Sequence, residues 1–356
     1  MLTALLPTRN RPEHCVRQLN FLRGSGFAYR VIVLDASDAA GAADIRAACE
    51  GFAEYRHFDP ARFRMADKLA AAVVDVATPF VILIPDDDVT LLDAVEAELA
   101  FLQAHPDYIA AHGYFLSFAV HEADIDIFDV IGFTPSITND NPLWRHYDLF
   151  RRYQSFYWGV FRTGAFAASV TAACAMKVVL FRELTVMSTA ILQGKVARLP
   201  QVHALRGITP SHVGRDQSDP LYWTLHDAES FFQNYRIYRD GVASFARRQG
   251  VQPPDGVKLE QLLDMSHAAF LGRAVDTGMI NYRVQQLLGE PLPPVAAPDA
   301  WPGWREPAEG DVVHLGEAGS RRFVWRRCVA EAEPREEIVI DAGEMARVER
   351  QLEAYR

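Results

Sequence analysis

The chain has 356 residues, 49% of them hydrophobic and 23% charged, with a formal charge of −10 at pH 7. That balance describes a soluble globular protein long enough for a catalytic domain plus an accessory region. It argues against a general nucleic-acid or anionic-membrane surface and leaves room for a local basic pocket. The four cysteines, Cys15, Cys49, Cys174 and Cys328, form no Cys-x-x-Cys pair, so neither a zinc site nor a disulfide framework is indicated. The segment from Leu2 to Pro7 is too short and uncharged for a signal peptide. No apolar stretch nears the roughly 20 residues of a membrane span. A cytoplasmic enzyme is the default reading, with peripheral attachment to a membrane, through a partner or a lipid-linked substrate, left open.

In chain order, Leu2 to Leu6 reads as a short buried strand ending at Pro7-Thr-Arg-Asn-Arg-Pro12. Pro12 suits the first turn of a helix, and Cys15, Leu19 and Leu22 keep helical spacing up to Gly24-Ser-Gly26. Tyr29 to Asp35 is a second strand whose carboxyl end is an aspartate, followed by a small-residue loop, a helix over Asp44 to Phe52 and a strand over Glu54 to Phe58. Arg62 to Ala77 reads as a helix with Leu69, Val73 and Val76 on one face and Lys68 beside it. Next come the β-branched run Phe80 to Ile84 and an abrupt Asp86-Asp87-Asp88. This β-α alternation with short links predicts an α/β fold: a mostly parallel sheet with helices on both faces.

Beyond it, Val89 to Ala104 is amphipathic, Tyr108 to Val120 is a long strand candidate open to antiparallel pairing, and Glu122 to Asn141 reads as an acidic loop, either mobile or acceptor-facing. Leu143 to Tyr153 is helical, Ser155 to Phe161 a short aromatic strand, Thr163 to Gly194 two helices, and Lys195 to His203 a strand. Arg206 to Ser218 is a polar loop. Aromatic-rich helices over Pro220 to Gln249 and Lys258 to Leu288 precede a proline-rich linker, a strand over Arg322 to Val329 and a charged helix from Gly343 to Tyr355. The organisation expected is a catalytic domain over 1–218, a helical accessory region over 219–289, and a linker and tail over 290–356.

Three adjacent carboxylates at the mouth of a buried strand repel one another, and a divalent cation held by their oxygens would remove that repulsion. Carboxyl ends of parallel strands are also where open α/β sheets bind ligands. The plainer reading is an acidic turn in which Asp88 caps the next helix. Two other strand ends weigh against it. Asp35 can accept hydrogen bonds from a base N–H or a ribose hydroxyl, and Arg9 and Arg11 can neutralise a diphosphate. Neither the dinucleotide fingerprint nor the P-loop pattern occurs.

Together, Leu-Leu-Pro-Thr-Arg-Asn-Arg11, Val-Ile-Val-Leu-Asp35-Ala-Ser and Thr78-Pro-Phe-Val-Ile-Leu-Ile-Pro-Asp-Asp-Asp88 resemble the successive landmarks of family-2-like glycosyltransferases with the GT-A fold. The resemblance covers the first ~100 residues well and thins toward residue 215. It implies a nucleotide-sugar donor, a UDP-sugar first, with Mn²⁺ or Mg²⁺, and a glycan, lipid-linked or protein acceptor. It implies that Thr8, Arg9 and Asp35 contact the nucleoside, that Lys68 meets the base or diphosphate, and that the triplet is an Asp-x-Asp-type motif. In that motif Asp88 ligates the metal, Asp86 faces the ribose or a metal-bound water, and Asp87 belongs to the same donor-binding turn. Ala36 stands where the family often carries a second acidic residue. Glu183 falls where the family carries the base of an inverting transfer, although a glutamate in a helix's first turn is favourable without any function. Asp140 and Asp148 are the next choices. His212 and Arg215 resemble the late loop that closes over the donor, with His212 as a metal ligand and Arg215 on phosphate; His203 and Arg206 are weaker versions of the same idea. Tyr153, Phe156, Tyr157 and Trp158 read either as a sugar-stacking platform or as core.

A nucleotidyltransferase with a related sheet is the second enzyme reading, but it wants a glycine-rich first loop, and Pro7 to Pro12 contains no glycine. A non-catalytic carbohydrate- or protein-binding module is the third. A homodimer stays open.

Overall fold

The β-branched runs pair as the alternation predicts. A computed structural model describes residues 1–120, 124–131, 136–151, 153, 155–207, 220–273, 312–318, 321–326 and 340–355. Strands β1 (Leu2–Thr8), β2 (Arg30–Asp35), β3 (Glu54–His57) and β4 (Phe80–Leu83) lie parallel in the order β3-β2-β1-β4. Helices α1 (Pro12–Gly24), α2 (Ala39–Cys49) and α3 (Met65–Val73) connect them. Thr8 pairs with Asp35 in register, and the Ile84 N–H bonds the Leu5 carbonyl, so the motif residues all emerge at the carboxyl edge of the sheet. This is the mostly parallel α/β sheet that the strand–helix alternation predicts.

After the aspartates the chain forms a two-residue strand, β5 (Val89–Thr90), and only then α4 (Leu92–Ala104). Asp88 therefore does not cap α4. The long strand β6 (Tyr108–Val120) pairs antiparallel with β7 (Asp124–Ile131) and β8 (Val160–Arg162), and parallel with β9 (Lys195–Gly207). Part of the stretch read as an acidic loop over Glu122 to Asn141, residues 124–131, is thus the strand β7. Ile125 and Ile127 alternate inward there while Asp124 and Asp126 are partly exposed, a period of two hidden by the density of acidic residues. The aromatic strand is shorter than expected and begins only at Val160.

Helices α5 (Pro142–Arg151), α6 (Thr163–Ala173) and α7 (Val179–Gln193) precede β9, and α8 (Pro220–His226), α9 (Ala228–Arg248) and α10 (Leu259–Arg273) follow it. A hairpin of β10 (Val312–Ala318) and β11 (Arg321–Arg326) extends the sheet beside β7, and α11 (Ala342–Ala354) closes the chain.

Alternation along the strands splits the core in two. Leu5, Ile32, Leu34, Val81 and Leu83 pack with α3, α6, α7, α9 and α10. Ala4, Leu6, Val31, Val33, Phe80 and Ile82 pack with α1, α4 and α11. Trp223, Phe231 and Tyr238 belong to the first of these clusters, as do Phe156 and Tyr157, while Tyr153 and Trp158 pack against it. The aromatic group 153–158 is core. Cys15 and Cys49 are buried free thiols, and Cys174 is half-buried and free. Among the described residues no helix is long and apolar enough to cross a membrane.

Candidate active site

The turn after β1 is shaped by residues that cannot continue a strand. Asn10 adopts φ 53°, a left-handed conformation that asparagine tolerates, and its N–H donates to the Ser37 hydroxyl at 2.8 Å. The Asn10 side chain accepts from the Asp38 N–H at 3.0 Å, and Asp38 caps α2 through the Gly41 N–H. The loops after β1 and β2 are thereby fastened together, which fixes the relative places of Thr8, Arg11 and Asp35.

Asp35 is fully buried. Its Oδ1 accepts the Ser37 N–H at 2.8 Å, its Oδ2 accepts the Tyr55 hydroxyl at 2.8 Å, and His57 Nδ1 stands 3.6 Å from Oδ2. Tyr55 and His57, on the edge strand β3, were not singled out from the sequence. Register with Asp35 is the signal that reveals them, since β2 and β3 pair Asp35 with His57. Beneath the turn, Lys68 reaches from α3 and donates to the Thr8 and Leu34 carbonyls, each at 2.9 Å. Burial lowers this ammonium to about 8, against the opposing pull of Asp35 and Asp86. Lys68 is thus a buried cation tying two strand ends. Arg9 is exposed, close enough that its charge adds to the lowering of Lys68.

The three aspartates hold different partners. Asp86 Oδ2 accepts the Thr8 hydroxyl at 2.7 Å, and its Oδ1 takes Arg11 Nη1 at 2.9 Å. The other arm of Arg11, Nη2, reaches Asp87 Oδ2 at 2.7 Å. Arg11, which the sequence points at a diphosphate, is in this structure the counter-ion of two carboxylates. Burial pulls its pKa down, but the bond to Asp87 and the charges of all three aspartates outweigh it, and the net shift is upward. Asp88 Oδ1 accepts the Gly207 N–H at 3.2 Å. Its carboxyl is pushed up to about 7 by burial and then by Asp87, against the pull of Arg206, an exposed residue at the end of β9.

The charge of the turn fits a divalent cation. Three carboxylates face one guanidinium, and burial raises the pKa of both Asp86 and Asp88. Both Asp86 oxygens are engaged, whereas Asp87 Oδ1 and Asp88 Oδ2 have no hydrogen-bond partner among the described residues. Asp88, with Asp87 beside it, is therefore better placed to hold a cation than Asp86. No group of three or more metal-ligating side chains assembles among the described residues. His212 and Arg215 lie outside the described residues.

Glu183 lies near the start of α7, where its Oε1 accepts the Tyr153 hydroxyl at 2.7 Å. No described hydrogen bond or ion pair joins it to the aspartate turn. The segment leading into α7 is tied to α3, because Arg64 Nη1 and Arg182 Nε both donate to the Met176 carbonyl, at 3.2 and 2.9 Å. Arg64 precedes Lys68 by one turn, so Glu183 belongs to the same edge of the molecule as the strand ends. The alternatives are surface residues: Asp140 pairs with Lys195 and Asp148 with Arg151. His203 is fully buried against Glu98, at 2.7 Å, and does not face the turn.

No protein-family model and no curated protein matches the chain. Among solved structures, S. aureus TarS 1-349 aligns over 80% of this chain and 92% of its own at 13% identity, with a TM-score of 0.44. TarS 1-349 in complex with UDP-GlcNAc aligns over 90% and 98% at 12% identity, again with a TM-score of 0.44. Glucosyl-3-phosphoglycerate synthase from Mycobacterium tuberculosis, in complex with Mn²⁺, UDP-Glc and phosphoglyceric acid, aligns over 72% and 82% at 13% identity, with a TM-score of 0.39. These similarities are low, and the α/β architecture stands on the strand pairing itself.

Proposed function

We propose that the chain is a metal-assisted glycosyltransferase that moves a sugar from a nucleotide-sugar to an acceptor hydroxyl with inversion. The observation that carries this reading is the meeting of two unlike acidic sites at one sheet edge. Asp35, with Tyr55, offers acceptors at the end of β2, and the Asp86–Asp88 turn offers excess negative charge at the end of β4. Thr8 and Lys68 connect them. A nucleoside diphosphate with a cation has the matching arrangement: a polar ribose and base at one end, and a charge-compensated diphosphate at the other.

In this reading Asp35, Thr8 and Arg9 receive the nucleoside, and Lys68 supplies a fixed positive charge below it. Asp88, with Asp87, holds Mn²⁺ or Mg²⁺, and Asp86 and Arg11 shape the turn. Arg215 and His212 belong to the donor side as closing residues. Bound there, the cation supplies compensation for the charge that grows on the leaving diphosphate. Glu183 accepts the acceptor's hydroxyl proton as its oxygen bonds the anomeric carbon. The sugar–phosphate bond breaks with its electron pair leaving on the nucleoside diphosphate. Tyr153 fixes the Glu183 carboxylate. The acceptor is a glycan, a lipid-linked intermediate or a protein, and the site of action is cytoplasmic.

A panel of nucleoside diphosphates, each with and without Mn²⁺, tests the reading by thermal shift, since a ligand specific to the folded state raises its stability. One base is expected to give a Mn²⁺-dependent upward shift, with UDP the first to try. Asp88→Ala should abolish that shift and donor turnover together. If both survive the substitution, the central assignment is wrong. If no nucleotide shifts the wild type, a binding module is the better description.

A further inference from the structure

The C-terminal helix α11 lies across the β5–β9 ladder that leads from the aspartate turn, and its side chains reach both β9 and α4. Asp341 caps it through the Glu344 N–H at 2.8 Å, which sets the first turn of the helix beside β9. There Glu344 Oε1 accepts the Val202 N–H at 2.6 Å, and Arg347 Nη2 donates to the Val202 carbonyl at 2.7 Å. β5 pairs with β9 only at Ala204 and Leu205, so α11 supplies partners to β9 just where the short strand has ended. One residue further, the His203 carbonyl accepts the Leu91 N–H at 2.9 Å, and at the end of β9 Gly207 donates to Asp88.

Next to it, across the end of the ladder, Arg347 Nη1 pairs with Asp93 in the first turn of α4, and Gln351 Nε2 donates to the same carboxylate at 3.0 Å. The helix ends at Tyr355, whose ring packs edge-on against Phe21 and lies 4.7 Å from the Arg17 guanidinium. Tyr355 also meets the Phe118 ring edge-on, with centroids 6.4 Å apart, and Phe118 stands 3.7 Å from where a Cβ on Gly207 would lie. A helix that only covered apolar surface would need little more than Val348 and Leu352. This one adds a charged residue that joins the β9 backbone to the start of α4 where the β5–β9 ladder leading from the aspartate turn ends.

We propose that α11 is a positioning element of the donor site, holding Asp86–Asp88 in binding geometry by bracing β9 at Val202 and α4 at Asp93. The residue at the centre is Arg347, which touches no ligand. The donor part of this claim rests on the proposed function. The bracing does not.

Arg347→Ala in the full chain tests it through two readouts, amide hydrogen exchange and the affinity for UDP with Mn²⁺. Exchange in residues 86–92 and 202–207 is expected to quicken roughly tenfold while amides of 2–8 and 30–35 stay unchanged, because local opening need not engage the whole fold. Affinity for UDP with Mn²⁺ should fall about tenfold, and Arg347→Lys, which keeps a charge for Asp93 but loses the forked donor, should recover only part of it. Unchanged exchange in 86–92 overturns the proposal. So does a uniform rise that includes 2–8 and 30–35, since that is loss of global stability alone. A local response with no nucleotide binding even by the wild type sustains the brace and overturns the donor-site reading instead.

Discussion

The sheet edge that carries the aspartates and the helical half around α7 and α9 both bury polar groups, and they resolve the cost in opposite ways. At the edge, ionisable groups are packed together with charge left over: three carboxylates against Arg11, and Lys68 held by carbonyls. In the helical half the central polar network, between α5, α7 and α9, is neutral. His146 Nε2 meets the Ser188 hydroxyl at 3.1 Å, and Ser188 meets the Tyr238 hydroxyl at 2.6 Å. Burial lowers His146 to about 3, so it stays uncharged. Phe181 stacks on Tyr238 within the same layer. A neutral network stabilises a core; a charged, unfinished one waits for a ligand. Function should therefore respond to the edge, and stability to the helices.

Glu183, proposed as the base, offers the largest effect. Glu183→Gln keeps the shape and the Tyr153 contact but removes the base, so turnover should fall on the order of 10²–10⁴-fold. UDP affinity with Mn²⁺ should not change. Steady-state kinetics beside direct binding separates the two, and equal losses in both would move Glu183 out of the base role. Phe181→Ala belongs to the other region. Emptying a fully buried aromatic site should lower unfolding free energy by about 3–5 kcal/mol in a denaturant titration. Nucleotide affinity under native conditions should stay within about twofold, because no contact of the edge depends on that ring.

The edge was legible in the sequence and the helices' contribution to it was not, for physical reasons. Thr8, Asp35 and Asp86 each end a buried apolar run, and in a parallel α/β sheet such ends gather on one side whatever the loops do. The partition of charge inside the turn is different. Residue types show that Arg11 is suited to anions but not which anion it meets, and here it meets Asp86 and Asp87. Tyr55 and His57 are found through register alone, and Arg347 reaches Asp93 across 254 positions of sequence. The strand β7 was obscured because its acidic residues outweigh its alternating isoleucines. Glu183's place on a helix near the edge follows from motif order, yet its partner Tyr153 lies 30 residues away on another segment.

A smaller perturbation sharpens the contrast at Gly207. A Cβ there would stand 2.7 Å from the Asp87 carbonyl, a backbone atom that cannot swing aside as a flexible side chain can. Gly207→Ala should push the aspartate turn away from β9 and lengthen the Gly207–Asp88 bond. UDP affinity with Mn²⁺ should drop roughly tenfold, the size of a modest overpacking penalty. Isothermal titration would show this, and an unchanged affinity would mean that the turn is not held by β9. No such effect is expected at Gly164, where an added Cβ meets nothing within 4 Å.

The mildest test changes no residue. Asp88 has its carboxyl raised to about 7, by burial first and then by Asp87. The sign follows from the two states: between about pH 4 and pH 7 the folded chain keeps a proton that the unfolded chain has already released, so the folded state binds more protons. Stability of the free protein should therefore decline as pH rises through that window and level off above it, the reverse of a salt-bridged aspartate. A cation at Asp88 must displace that same proton, so its binding should strengthen over the same range, by about tenfold between pH 6 and pH 8. Asp88→Asn should flatten the stability profile and remove the cation response together. In the helical half, His146 is already neutral across this range, and a Phe181→Ala protein should keep the wild-type pH profile on a lower baseline. A pH profile that followed the helical substitution instead would place the titrating group in the core and leave the aspartate turn an ordinary acidic loop.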